Sequence, residues 1–211
     1  YQVLPPGVLT GHTADDQAET MILNLLRGAG SDGMAAMKSS AHPILNLRRR
    51  ETVGLCAQLG FAPLEDPSND DPIYRRNRVR HEIVPLLAEV AGRDVVPILV
   101  RQSALFADDA QLLNDLASTI DATDVRMLTS APLVLARRAV RQWLGQGQPH
   151  PPDSATVGRV LAVARLEIRS TEVGAGRRVT RRSGRLELQG PLPSGADGIP
   201  AAFSEPSRQS G

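Results

Sequence analysis

The chain has 211 residues, 41% of them hydrophobic, and 24 basic side chains against 23 acidic ones give a formal net charge of +1. That much apolar material builds a core and excludes a disordered chain, while balanced totals point to neither a nucleic acid nor an acidic partner, so charge has to be read locally. One cysteine, Cys56, excludes an intrachain disulfide and multi-cysteine zinc or iron–sulfur centres, fits a reducing cytoplasm, and stands in a chain with no apolar run of membrane-spanning length.

In chain order, "GVLTGH" reads as a short strand, and from Ala14 the period becomes helical, with Ala14, Ala18, Met21, Ile22, Leu25 and Leu26 on one side. Gly28 and Gly30 in "RGAGSDG" stop that helix. "AHPILNL" reads as a second strand, followed by a helix from about Arg49 to Leu59 that Gly60 ends. Strand, helix, strand, helix argues for a parallel α/β layer. "EDPSNDDP" is a turn-rich loop in which Pro67 and Pro72 forbid a regular element. "RRNRVRHEIVPLLAEV" is amphipathic enough for a helix, kinked or restarted near Pro85.

The strongest helical signal comes next: Ile98, Leu105 and Leu112, with Leu99, Phe106 and Leu113 beside them, recur at heptad spacing. "APLVLARRAVRQWLG" repeats the pattern, with Leu133, Val140, Trp143 and Leu144 expected inward and Gly145 as a stop. "RLEIRS" and "RRVTRRSGRLEL" then alternate, with Ser183 and Gly184 as a hairpin turn, and they carry Arg165, Arg169, Arg177, Arg178, Arg181, Arg182 and Arg185 against Glu167, Glu172 and Glu187. From Gly190 onward glycine, proline and serine dominate and a disordered tail is expected. The division expected is residues 1–91 as an α/β part, 92–164 as a helical domain, 165–189 as a basic hairpin region and 190–211 as the tail.

The stretch "LTGHTADDQAET" crowds Asp15, Asp16 and Glu19 into the start of the first helix. Thr13 can cap that helix and Asp16 can complete a capping box, with the helix dipole favouring both acids by about 0.3–1 kcal/mol each. Capping does not account for Glu19, which shares a face with Asp16 one turn further on. Two carboxylates at the carboxyl end of a strand in a parallel sheet lie where such folds place ligands, and they could hold a metal, an ammonium group or a base edge. Spacing alone leaves structure and function level.

"GHTADDQAETMILNLLRGAGSDG" resembles the H-x-x-D-D-x-x-E-T segment, with its following R-G-x-G, of the tRNA(Ile)-lysidine synthases, members of the PP-loop ATP-pyrophosphatase family. "EDPSNDD" and "RRNRVRHEIVPLL" are similar to that family's D-x-S-N loop and R-N-x-x-R helix, in the same order. The likeness covers roughly Val8 to Leu87. It implies a partial Rossmann-like parallel sheet of the adenine nucleotide α-hydrolase type, followed by a helical domain and a small C-terminal β-hairpin region.

By the resemblance, His12, Asp15, Asp16 and Glu19 line the cleft, and Asp16 and Glu19 read the target cytidine and place the incoming amine. Arg27, Gly28 and Gly30 border the nucleotide, while Arg76, Asn77 and Arg80 lie near the cleft and stabilise phosphate or the activated base. The reaction implied is adenylation of the C2 oxygen of the wobble cytidine of tRNA(Ile) with a CAU anticodon, using ATP and Mg2+, after which L-lysine displaces AMP. A homodimer is left open. No resident protein metal site is expected; His42 and His81 read as ordinary surface or interface residues.

The family's S-G-G-x-D-S loop does not occur in this sequence, and the chain opens at Tyr1, so a fragment or truncated version that does not act on ATP alone is expected. Gly11 stands where many members have a first histidine. Two alternatives remain: a PP-loop tRNA thiolation enzyme, which Cys56 alone serves poorly, and a non-catalytic tRNA-binding module built on the arginine-rich end.

Overall fold

The computed structural model describes residues 7–62, 71–148 and 150–190. The chain divides into two compact units, with the division falling between Leu112 and Leu113. The loop at Glu65 to Asp70 and the tail beyond Gly190 lie outside the described residues.

The first unit is built around α1 (Ala14–Leu26), whose inner face buries Ala14, Ala18, Met21 and Ile22. Ala14 and Ala18 pack with Val96, backed by Val84, Leu99 and Val100. Small residues at those two positions let the helices approach closely. Leu25 and Leu26 face outward instead, at 61% and 71% exposure, so the apolar stripe ends a turn earlier than its period implies. Gln17, buried in the same helix, donates from Nε2 to the Ala35 and Met37 carbonyls and to Ser103 Oγ, and accepts the Met37 amide at 2.9 Å. A short α2 (Ser31–Met34) and α3 (Arg49–Gln58) follow.

The two segments read as strands, "GVLTGH" and "AHPILNL", are not strands: residues 8–13 are irregular, and the second begins on the last residue of a 3-10 turn (Ser39–Ala41) and continues in further turns. One backbone bond, from Thr10 N–H to the Ala41 carbonyl at 3.1 Å, links them. A strand needs a partner along its length, and among the described residues none runs beside either segment. Each backbone instead closes local turns, as Leu45 onto His42 and Leu47 onto Ile44.

Further along the chain come α4 (Arg75–Arg78), a π-helical turn (Val79–Ile83) and α5 (Val84–Ala91). The restart expected at Pro85 is present. Proline lacks the N–H an α-helix needs and crowds the carbonyl four residues back, and the widened turn just before it absorbs both effects. Gly92, at φ +64°, closes α5 in the left-handed conformation.

α6 (Val96–Ser118) confirms the helix, but another face is buried. Val96, Ser103, Ala110 and Ala117 go inward at sevenfold spacing, while Leu105 and Leu112 are 52% and 61% exposed. Both sets share one period, and the sequence pattern weighted the larger side chains.

The second unit packs α7 (Val125–Ser130), α8 (Leu133–Gly145) and α9 (Ser154–Ala164) against a three-stranded antiparallel sheet in the order β1 (Ser170–Glu172), β2 (Arg178–Arg182), β3 (Arg185–Gln189). Its core holds Leu128, Val140, Leu144, Val160, Val163, Val179 and Leu186. Val140 and Leu144 go inward and Trp143 packs at the core's edge, but Leu133 is 43% exposed at the helix start. The hairpin forms with Arg182 opposite Arg185, and Ser183 (φ +48°) and Gly184 (φ +79°) make the two-residue turn. "RLEIRS" contributes only its last residue to β1. Leu166, at φ +64°, turns the chain after α9 before pairing begins.

Candidate active site

The first turn of α1 sets the site. Asp16 Oδ2 accepts both the Thr13 amide and the Thr13 hydroxyl at 2.8 Å, which closes the helix start and leaves Oδ1 facing outward. Glu19, one turn on, is 2% exposed. Three guanidinium groups meet this pair. Arg76 bridges it, with Nη2 3.0 Å from Asp16 Oδ1 and Nε 2.9 Å from Glu19 Oε2. Arg80 grips Glu19 at two points, 2.7 and 3.1 Å, and lies 3.6 Å from Asp16 Oδ1. Arg49, the first residue of α3, donates to Asp16 Oδ1 at 2.8 Å and lies 3.7 Å from Glu19 Oε1.

The placement of the arginines follows from local structure. Arg76 and Arg80 are four apart across α4 and the π-helical turn, so both reach α1 from one face. Arg78, between them, faces away and pairs with Glu82 in solvent. Arg48 and Arg49 sit at the start of α3, where the helix dipole disfavours cations. Carboxylates of α1 offset that cost. Arg48 takes Asp15 in a two-nitrogen grip (Nη2 to Oδ1, 2.9 Å) and also pairs with Asp94, while the Arg49 amide donates to Asp15 Oδ2 at 2.7 Å.

Three positive groups on two carboxylates leave the inner cluster with one net positive charge. Burial pushes Asp16 up, yet the Thr13 amide and hydroxyl together with Arg49 and Arg76 hold it below the usual carboxylate range. Burial likewise opposes Asp15, and the Arg48 guanidinium and Arg49 amide hold it low. Burial lowers Arg80, but Glu19 more than restores its charge and raises it. Asp15 and Asp16 are therefore firmly anionic near neutral pH.

His12 stands beside this cluster. Its Nδ1 lies 2.6 Å from Thr10 Oγ1 and 3.2 Å from His42 Nδ1, with the two rings edge to face. Burial, with Arg76 and His42 nearby, lowers His12 against the opposing pull of Asp16, favouring its neutral form. His42 is thus a partner of the first motif, not the ordinary surface group its sequence position suggested.

Asn77 is buried, and its Nδ2 donates to the Asp71 carbonyl at 2.9 Å, fastening the chain that leads into α4. With Pro72, Arg78, His81 and Glu82 it lines a cavity of about 240 Å³. Arg27, Gly28 and Gly30 lie at the far end of α1, about 16 Å along its axis from Asp16 at 1.5 Å per residue. Arg27 bonds Asn24 at 3.3 Å and borders a groove of about 320 Å³ with Leu23, Leu26 and Arg75. Gly28 (φ +74°) ends α1, whereas Gly30 is extended and starts α2.

Thus Asp16, Glu19, Arg76 and Arg80 are joined directly, with His12 adjacent, while Asp15, Asn77 and the Arg27 to Gly30 group keep other company. Sequence reasoning did not single out Arg49 or Arg48. The available signal was "LRRRE": consecutive arginines at a helix start are electrostatically unfavourable unless acids elsewhere receive them.

Residues 6–87 match the PP-loop domain. The tRNA(Ile)-lysidine synthase of Nocardia farcinica (strain IFM 10152) is 44% identical over 158 residues, 69% of this chain and 50% of that protein. The same-named protein of Rhodococcus erythropolis (strain PR4 / NBRC 100887) is 41% identical over 151 residues, 66% of this chain and 46% of its own length. That of Salinispora arenicola (strain CNS-205) is 36% identical over 209 residues, 88% of this chain and 62% of its own. The chain spans about half the length of the first two relatives. A PP-loop domain implies an α/β nucleotide-binding fold, which agrees with the expected class although the two strand segments within it are irregular here. Residues 6–87 thus resemble the PP-loop domain, and tRNA(Ile)-lysidine synthases are relatives that the chain is similar to over most of its own length.

Proposed function

We propose that the chain is part of an ATP-dependent ligase that forms lysidine at the wobble cytidine of a CAU-bearing isoleucine tRNA in the cytoplasm. One observation carries the reading. The H-x-x-D-D-x-x-E and R-N-x-x-R motifs, about 60 residues apart, meet as one charge cluster in which Arg76 bridges Asp16 and Glu19. Capping alone gives no reason for that convergence.

In the first step the cytidine C2 oxygen attacks the α-phosphorus of ATP and pyrophosphate leaves. In the second, a lysine amine attacks C2 and AMP departs with the oxygen. Asp16 and Glu19 accept N–H groups of the cytidine edge and of the amine, and a carboxylate there also receives the proton the amine must lose. Arg76 and Arg80 offset the negative charge of phosphate with charge-assisted bonds. His12, Asp15 and Asn77 support the cleft walls, and Arg27, Gly28 and Gly30 border the nucleotide. Among the described residues no three His, Cys, Asp or Glu side chains converge as metal ligands, and guanidiniums take up Asp16 and Glu19. Residues 92–164 and the arginine-bearing sheet, with Arg169 and Arg182 exposed, contact tRNA phosphates.

The sequence holds no S-G-G-x-D-S run, so the 211 residues alone are expected to transfer no lysine. The test joins the chain to the part of the Nocardia farcinica relative that it does not cover and supplies ATP, magnesium, labelled lysine and the CAU-bearing tRNA. Label in the RNA, with AMP and pyrophosphate released, supports the reading. Sulfur incorporation would move it to the thiolation branch, and tRNA binding without transfer would leave a docking module.

A further inference from the structure

The three arginines on the acidic pair are held unequally. Arg76 bridges both carboxylates at 3.0 and 2.9 Å, and Arg80 holds Glu19 at two points. Among the described residues the Arg49 guanidinium makes one hydrogen bond to the pair, to Asp16 Oδ1, and its second carboxylate oxygen, Glu19 Oε1, is 3.7 Å away. Its side chain is as exposed as that of Arg76, 35% against 34%, but it comes from α3, whereas the other two share one helical run. With one guanidinium hydrogen bond to the pair and an anchor on a separate helix, Arg49 is the cation of this cluster held to it by the fewest contacts. What it touches is the pair of oxygens, one from each carboxylate, that a primary ammonium needs in order to bind between them.

Charge sharpens the point. With all three guanidiniums in place the cluster already carries an excess positive charge, and a further cation would be repelled. An ammonium group can enter only if one guanidinium leaves, and an anion nearby draws that guanidinium outward.

We infer that Arg49 is a displaceable resident cation: it holds the place between Asp16 and Glu19 that the ammonium of the amine substrate takes, and it swings away when phosphate enters. Arg49 is thereby a positioning residue that couples amine binding to prior binding of the nucleotide. The role rests on the reading above, since it takes the amine to be a substrate of this cleft.

The test measures L-lysine binding to the 211-residue chain by NMR titration, for the wild type, Arg49→Ala, Arg49→Gln and Arg49→Lys, with Arg50→Ala as a control at the neighbouring exposed position. Arg49→Ala and Arg49→Gln are expected to bind lysine about tenfold more tightly than wild type. Arg49→Lys and Arg50→Ala should match wild type, and inorganic pyrophosphate should tighten lysine binding to wild type but not to Arg49→Ala. Lysine affinity in both neutral variants equal to or below wild type, with their α-helical circular dichroism intact, overturns the inference. In the joined enzyme, absence of lysine transfer by wild type refutes the functional reading, whereas transfer with an unchanged KM for lysine in Arg49→Gln refutes the role of Arg49 alone.

Discussion

Replacing Glu19 by glutamine tests whether the charge cluster holds α1 against the helical run that begins with α4. The substitution keeps the shape and removes the charge. Glu19 is 2% exposed and receives Arg76 Nε at 2.9 Å and Arg80 at 2.7 and 3.1 Å. Removing one partner of a buried ion pair costs about 3–5 kcal/mol because the other charge is left uncompensated. Here the arginine side chains are 34% and 22% exposed and regain water, and Asp16 remains 3.0 Å from Arg76, so a loss of about 2–3 kcal/mol is expected. With a urea slope of about 1–2 kcal/mol per molar for a unit of this size, the midpoint should fall by about 1–3 M. The assay is urea unfolding followed by far-ultraviolet circular dichroism, because Trp143 packs at the edge of the other unit's core and does not report on α1. Glu82→Gln, which removes the exposed Arg78–Glu82 pair, serves as the comparison and should leave the midpoint unmoved. Equal midpoints for Glu19→Gln and Glu82→Gln would refute the argument.

Other outcomes follow from the same geometry. Leu128 is 1% exposed in the second core, so Leu128→Ala should destabilise that unit by about 2–5 kcal/mol, read from Trp143 fluorescence during urea unfolding. Gly184→Ala forces a Cβ into a turn residue at φ +79° and should cost about 1–2 kcal/mol by the same readout. Asp15, Asp16 and Asp94 are held below their ordinary range in the folded chain, and Asp94 owes this first to Arg48. Their contribution to stability is complete above the unfolded carboxylate range, near pH 4, and is lost as pH falls through the lower folded values. Asp121, lowered to about 2 chiefly by the Thr123 hydroxyl and amide, extends that loss further into acid. Acid titration by circular dichroism should show a decline starting below about pH 4, shallower in Asp16→Asn.

Much of this was legible in the sequence. The α1 helix, its Thr13–Asp16 capping box, the stop at Gly28, the restart at Pro85 and the Ser183-Gly184 turn are set by contacts within a few residues, and local pattern reports local contacts. The segments at Val8 and Ala41 were misread because a strand is defined by its neighbours, which periodicity does not contain. Leu105 and Leu112 share a period with the buried Val96, Ser103, Ala110 and Ala117, so the repeat marks the helix without marking which of its faces is buried. Asp16 and Glu19 stood out by spacing, but what they touch did not. Arg49 reaches them from 33 and 30 residues away, and His42 reaches His12 across 30, which only the folded chain reveals.

The central claim is that Asp16 and Glu19, bridged by Arg76, act together on the amine. Its most direct test is the single-turnover rate of lysine transfer from preformed adenylated tRNA in the joined enzyme, for wild type, Asp16→Asn, Glu19→Gln and the double variant. Residues that act as a unit are non-additive, so each single variant should lose about 100-fold or more and the double variant little beyond that. Wild-type transfer rates in either single variant, or losses that multiply in the double, would contradict the account.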